Sequence, residues 1–277
     1  MLRTGTSLAL VSNRDDFDQP SLFLPESLMR EARRQRFLPA EAVPSVCMLD
    51  PDGDVAQFLR ERHGAIRAPG WACYHTELWV AEYNGIQLGV IGCAVGASFA
   101  VLLAEQLFAS GCELLVSVTS AGRIEDDLPG SCTILIDQAI RGEGTSHAYL
   151  PPAPTAIANA TLVDAIQQQC ATSAFPVIRG AVWTTDAPFR ETASALASAR
   201  DAGALAVEME AAALYAFAEA RQRAVVCFAH VTNSMAVDEG DFEKGPFDGA
   251  LQALEAVLAA VAGWRKWSLG TPQCVIV

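Results

Sequence analysis

Hydrophobic and polar positions along this chain switch repeatedly between a two-residue and a helical period from about residue 45 to residue 264. Val46–Leu49 is a short apolar run that ends in Asp50-Pro51-Asp52-Gly53-Asp54, a turn by composition. Leu78–Tyr83 and Ile86–Ile91 flank Asn84-Gly85, the strongest hairpin signal in the chain. Gly92–Gly96 precedes an apolar helical stretch from Ala97 to about Ala109. Leu114–Val118 reads as a strand, with Thr119-Ser120-Ala121-Gly122 as the turn that closes it. A strand is predicted at Ile134–Ile140 and another at Val177–Trp183, with helical stretches at Ala156–Cys170 and Glu191–Asp201. The apolar run Ala202–Val207 feeds Val207-Glu208-Met209-Glu210 and then an Ala-rich helix former. A buried strand, Ala224–Val231, and a last helix, Phe247–Trp264, follow. Strands alternating with helices over one continuous core predict an α/β fold, a single domain with a central mixed sheet flanked by helices.

Residues 1–44 stand apart. They hold Pro20, Pro25, Pro39 and Pro44 and a basic, helical piece from Glu26 to Arg36. The division expected is an N-terminal arm, 1–44, that packs on the core or on a second subunit, and an α/β domain, 45–277.

Composition narrows the partners. Hydrophobic residues make up 51% of the 277 and charged ones 18%, which suits a folded globular chain. The net charge of −13 argues against a nucleic-acid partner, which calls for a basic face. The eight cysteines show no C-x-x-C and no ligand-like spacing to the four histidines, so they read as small buried hydrophobes, with no metal site and no disulfide frame. The uncharged span 84–104 approaches membrane length, yet Asn, Gln, Ser and four glycines make it strand, loop and helix instead. Nothing at the start reads as a secretory signal. A cytoplasmic enzyme with a small substrate is the expectation, with no membrane partner.

The chemistry gathers at Glu208 and Glu210. Residues two apart on a helix do not share a face, so at most one of them points into a given pocket. As first-turn acids they would merely favour the helix dipole, each for about 0.3–1 kcal/mol. There is no G-x-x-x-x-G-K-[ST], H-E-x-x-H or G-x-S-x-G, and Gly89, Gly92 and Gly96 do not make a dinucleotide fingerprint.

Val207-Glu208-Met209-Glu210-Ala211-Ala212 resembles the ribose-binding turn of the nucleoside phosphorylase and nucleosidase superfamily. Residues 141–152 and 183–192 agree with it in order and rough spacing. The resemblance implies cleavage of the N-glycosidic bond of a nucleoside or nucleoside-like ribosyl compound, with no cofactor and with a homo-oligomer. It implies that Glu210 takes the 2′ and 3′ hydroxyls and Met209 packs on the sugar, with Glu208 beside them. Gly96 and Ser120 line the nucleophile side, and Phe189 and Asn233 the base, with His147 and Tyr149 nearby.

The chain departs from the phosphorylase pattern at three places. Asp54 stands where the first-turn arginine belongs, Ser117 where the arginine before the serine belongs, and Tyr74-His75 where a neighbouring subunit lends a third. The hydrolytic branch carries an acid in that first loop, which makes Asp54 or Asp52 a candidate general base. Water is therefore the preferred acceptor and inorganic phosphate the alternative, should Arg123 or Arg141 supply the missing charge. Asn233 replaces an aspartic acid found in purine-cleaving members and leaves the base open. Two other readings stay alive, a catalytically silent nucleoside-binding protein on this fold and a dinucleotide-binding α/β enzyme.

Overall fold

The computed structural model describes residues 16–171, 173–233, 244 and 246–270. In chain order the elements are α1 (Pro25–Arg36), β1 (Val46–Asp50), α2 (Asp54–Arg62), β2 (Ile66–Arg67), β3 (Trp79–Tyr83), β4 (Ile86–Gly92), α3 (Ala97–Phe108) and β5 (Leu114–Arg123). There follow β6 (Cys132–Gly142), β7 (Thr155–Ile157), α4 (Ala160–Cys170), β8 (Val177–Thr185), α5 (Ala193–Asp201), β9 (Ala204–Glu208), α6 (Ala211–Arg221), β10 (Ala224–Asn233) and α7 (Ala250–Gly270).

The strands form one mixed sheet, in the order β10-β6-β8-β9-β5-β1-β4-β3-β2, and β10 also pairs with β5. That extra pairing bends five strands into a closed ring and leaves β1, β4, β3 and β2 as an open wing. The closure explains why β5 is so apolar, since Leu114–Val118 is buried throughout. The Asn84-Gly85 hairpin forms as its composition dictates. Tyr83 pairs with Ile86, and both turn residues take positive φ, 47° and 75°.

Three expectations need correction. Thr119–Gly122 is not a turn but the extended end of β5, held by β10 on one side and by β9 at Gly122 and Arg123 on the other. A helix, α2, begins at Asp54 inside what reads as a turn. Buried Asp50 supports it by accepting from Gly53 N (3.1 Å) and Ala56 N (2.9 Å). Residues 156–158 belong to β7 and the loop after it, because the α4 cap is Asn159, whose side chain accepts from Leu162 N.

Helices cover the sheet. Helices α3 and α6 pack together with Phe108 and Phe217 rings 5.7 Å apart, and α4 packs on α7. Buried Tyr215 ties α6 to two strands, donating to Ile136 O (2.6 Å) and accepting from Cys227 N (3.0 Å). Helix α1 is docked by its basic residues. Arg33 donates to Gly70 O and Ser110 Oγ, and Arg36 to the Ala72 and Cys73 carbonyls. Among the described residues, no helix is long and apolar enough to cross a membrane.

Candidate functional site

The site forms where the sheet changes partners. Strand β1 pairs with β5 as far as Ser117, and β9 joins that same strand only at Gly122. Between them the β5 edge from Val118 to Ala121 has no described strand on that side, a switch point where a ligand or a loop can reach backbone donors. The β1–α2 loop, the N-terminus of α3 and the β9–α6 turn converge there.

At the β9–α6 turn the two acids have different surroundings. Glu208 ends β9 and is buried (4% exposed). Its carboxylate accepts from Thr184 Oγ1 (2.5 Å), Glu210 N (2.8 Å) and Ala211 N (2.8 Å), while Thr184 Oγ1 in turn accepts from Ala212 N (2.9 Å). Glu208 thus closes the α6 N-terminus, so the first-turn dipole reading understates it. Glu210 is the N-cap residue, 1% exposed, and its Oε1 accepts from Gly96 N at 2.6 Å. Gly96 starts α3 with φ 98°, a conformation that suits glycine and aims its N–H at the carboxylate. The second oxygen, Glu210 Oε2, is buried with no partner. Burial raises the Glu208 carboxyl to about 6 despite its three donors. Burial and then the Glu208 charge lift Glu210 further, to about 8. A buried polar atom without a protein partner makes Glu210 Oε2 the candidate contact for a ligand. Met209 is half-buried between the two.

On the other side of the opening stands Ser120, the Cα partner of His230 across β5 and β10. Both its donors are taken by one carboxylate. Asp52 Oδ2 accepts from Ser120 N and Oδ1 from Ser120 Oγ, each at 3.0 Å. Lys244 Nζ lies 3.2 Å from Asp52 Oδ2 and 2.6 Å from Asp54 Oδ2. Burial lowers the lysine's pKa, but the Asp54 hydrogen bond and the Asp52 charge outweigh it and the net shift is upward. Burial, then the Asp52 and Asp54 charges, push Asp50 behind them up to about 7. Burial and the Lys244 charge hold the His230 ring below its usual value. Asp52 also helps to raise Glu210, so the two sides share one field.

The predicted site residues therefore divide. Gly96, Glu208, Met209, Glu210, Ser120 and the Asp52–Asp54 loop come together. Phe189 stands on a short 3-10 turn with its side chain fully exposed, packed against nothing described. Asn233 ends β10 opposite Gly122, and its side chain lies outside the described residues. His147 and Tyr149 are bound into the protein, His147 Nδ1 to Arg141 Nη2 (3.2 Å) and Tyr149 OH to Glu105 (3.0 Å). Both arginines held in reserve for a phosphate are occupied. Arg123 donates to the Leu128, Pro129 and Gly130 carbonyls. Buried Arg141 donates to Ser146 Oγ and to the Leu150 and Pro151 carbonyls. Two residues were missed in the sequence, Thr184 and Lys244. Lys244 is one of the chain's two lysines and directly follows the acidic run Asp238–Glu243, and a lone cation there was the available signal. Among the described residues, no group of three or more His, Cys, Asp or Glu side chains could hold a metal ion.

A profile described as the phosphorylase superfamily matches residues 46–262. A guanosine phosphorylase from Halorubrum lacusprofundi is 28% identical over 142 residues, which cover 50% of this chain and 57% of that protein's length. Among solved structures, a purine nucleoside phosphorylase from Toxoplasma gondii in complex with immucillin-H aligns with a TM-score of 0.70 at 17% identity, over 83% of this chain and 94% of its own. An AMP nucleosidase from Bacteroides thetaiotaomicron aligns with 0.68 at 18% identity, over 89% and 100%. At these identities the structural likenesses speak for the fold.

Proposed function

The chain belongs to the phosphorylase superfamily, and from that premise we propose that it cleaves the N-glycosidic bond of a nucleoside or nucleoside-like ribosyl compound with water as acceptor. The observation that carries the choice of acceptor is Asp52 seated on both donors of Ser120, where an incoming phosphate would need to be held. The expected arginines are absent from the sequence, and Arg123 and Arg141 are committed to backbone carbonyls. That the fold also carries a protein named as an AMP nucleosidase is in keeping with this reading.

Cleavage leaves an oxocarbenium-like sugar, so the useful groups are those that fix the ribose and present the nucleophile. Glu210 Oε2, buried and unpartnered, accepts a ribose hydroxyl, while Gly96 N–H holds Oε1 in place. Glu208 anchors the turn that carries Glu210, and Met209 packs against the sugar. Asp52, on the half-open side, takes the proton of the attacking water, and Asp54 keeps Lys244 beside it. This shifts the base role from Asp54 to its neighbour. Phe189 and Asn233 remain our assignment for the base end, and the fully exposed Phe189 suits a second subunit closing over that end.

The test is base release from a panel of purine, pyrimidine and modified nucleosides, with and without inorganic phosphate. Release at the same rate in both conditions supports the reading. A strict need for phosphate, or tight nucleoside binding with no release from any substrate, overturns it.

A further inference from the structure

Three donors converge on Asp52 from separate parts of the chain. Ser120 N and Oγ belong to β5, and Lys244 precedes α7. An N–H, a hydroxyl and an ammonium gathered around one carboxylate are what an oxyanion site is made of. The carboxylate's Cα lies 68 residues from Ser120 along the chain, in a loop of its own. The loop is held from behind, because Asp50 is fastened to Gly53 N and Ala56 N. Asp52 therefore has a fixed base from which to reach across the open β5 edge. Its side chain is 26% exposed, so water and solutes reach the seat's outer face.

We propose that Ser120 N–H, Ser120 Oγ–H and Lys244 Nζ form an oxyanion seat that the chain's own Asp52 carboxylate fills, and that Asp52 is the residue that excludes inorganic phosphate. Filled, the seat places Asp52 and Asp54 against a single lysine, an anionic surrounding that repels a further anion. With the Asp52 carboxylate removed, Lys244 and Asp54 form a neutral pair beside two unmet donors, and a tetrahedral oxyanion regains three hydrogen bonds. The inference rests on the hydrolytic reading for its consequence in catalysis, but the binding itself does not.

Phosphate titration of the full chain, followed by calorimetry, tests it on wild type, Asp52→Ala, Asp52→Asn and the double variant Asp52→Ala with Lys244→Met. A thermal melt of each checks folding, and Asp52→Asn, which keeps the size and drops the charge, serves where Asp52→Ala does not fold. Wild type should take up no phosphate saturably. The neutral variants should bind it at least about tenfold more tightly, and Lys244→Met should remove at least about tenfold of that gain. Wild type binding phosphate as tightly as the Asp52 variants overturns the proposal, and so does binding in Asp52→Ala that is indifferent to Lys244→Met. Base release by wild type with no phosphate uptake in either Asp52 variant removes the seat and leaves hydrolysis standing. Phosphate uptake in the variants with no base release by wild type does the reverse.

Discussion

The two acidic groups that meet near the open β5 edge hold their carboxylates in opposite ways. At the β9–α6 turn, Glu208 and Glu210 are buried, fixed by backbone N–H groups of helix starts, and one oxygen is left without a partner. At the β1–α2 loop, Asp52 and Asp54 are about a quarter exposed and joined to a lysine, and Asp52 takes both the N–H and the hydroxyl of Ser120. The first side keeps one buried polar atom unmatched. The second is satisfied already. Under the function proposed here, the first side holds the ribose and the second keeps phosphate out, which leaves water as the second substrate.

The sharpest way to break the comparison is to empty the prepared side. If Glu210 Oε2 takes a ribose hydroxyl in a hydrogen bond worth roughly 1–3 kcal/mol, Glu210→Ala should lower kcat/KM by about one to two orders of magnitude. Steady-state kinetics beside a 2′,3′-dideoxy substrate checks it. A variant near wild-type activity, or one that still discriminates against the dideoxy compound as wild type does, ends the ribose assignment.

Glu208→Ala should act on folding first. It strands the Thr184 hydroxyl and two backbone N–H groups in a buried place, at a cost of roughly 2–4 kcal/mol. A fall in Tm of about 5–15 °C is expected, read by calorimetry. A melt unchanged within about a degree would make Glu208 an ordinary first-turn acid after all.

The buried pair also predicts a pH effect. Glu210, at about 8, lies above its unfolded value, so the stability it contributes is complete below the ordinary carboxylate range and fades as pH rises through 8. Glu208 and Asp50, raised to about 6 and about 7, act in the same direction. The ligand-free protein should lose stability steadily between about pH 5 and 8, and Glu210→Gln should flatten the upper end of that fall, above about pH 7, where Glu208 and Asp50 have already ionised. A denaturation series across that window decides, and an unchanged slope in Glu210→Gln counts against a protonated Glu210.

The smallest expected effect lies on the satisfied side. Asp54→Asn removes one partly exposed ion pair and should cost about 0.5–1 kcal/mol of stability. Turnover should fall less than in Asp52→Asn, and the reverse ranking would return the base role to Asp54.

Much of the fold was legible. The Asn84-Gly85 hairpin, the apolar strands and the Ala-rich helix after Glu210 follow from local composition and period, and they stand where those signals put them. The site was legible only where it is local. Glu208-Met209-Glu210 announced itself by string, whereas the contacts that define each acid come from afar. Gly96 reaches Glu210 across 114 positions, and Lys244 reaches Asp54 across 190. The end of β5 misled for a related reason. Thr119–Gly122 has turn composition, but closure of the ring by β10 and β9 holds it extended. Helix α2 was hidden because the carboxylate that accepts from its first turn, Asp50, lies in the strand before it.

The account stands most directly on the identity of the sugar product. With nucleoside held constant and inorganic phosphate raised stepwise from none, the account predicts free sugar throughout, at a rate that phosphate leaves unchanged. Ribose 1-phosphate appearing in proportion to the phosphate added would contradict it.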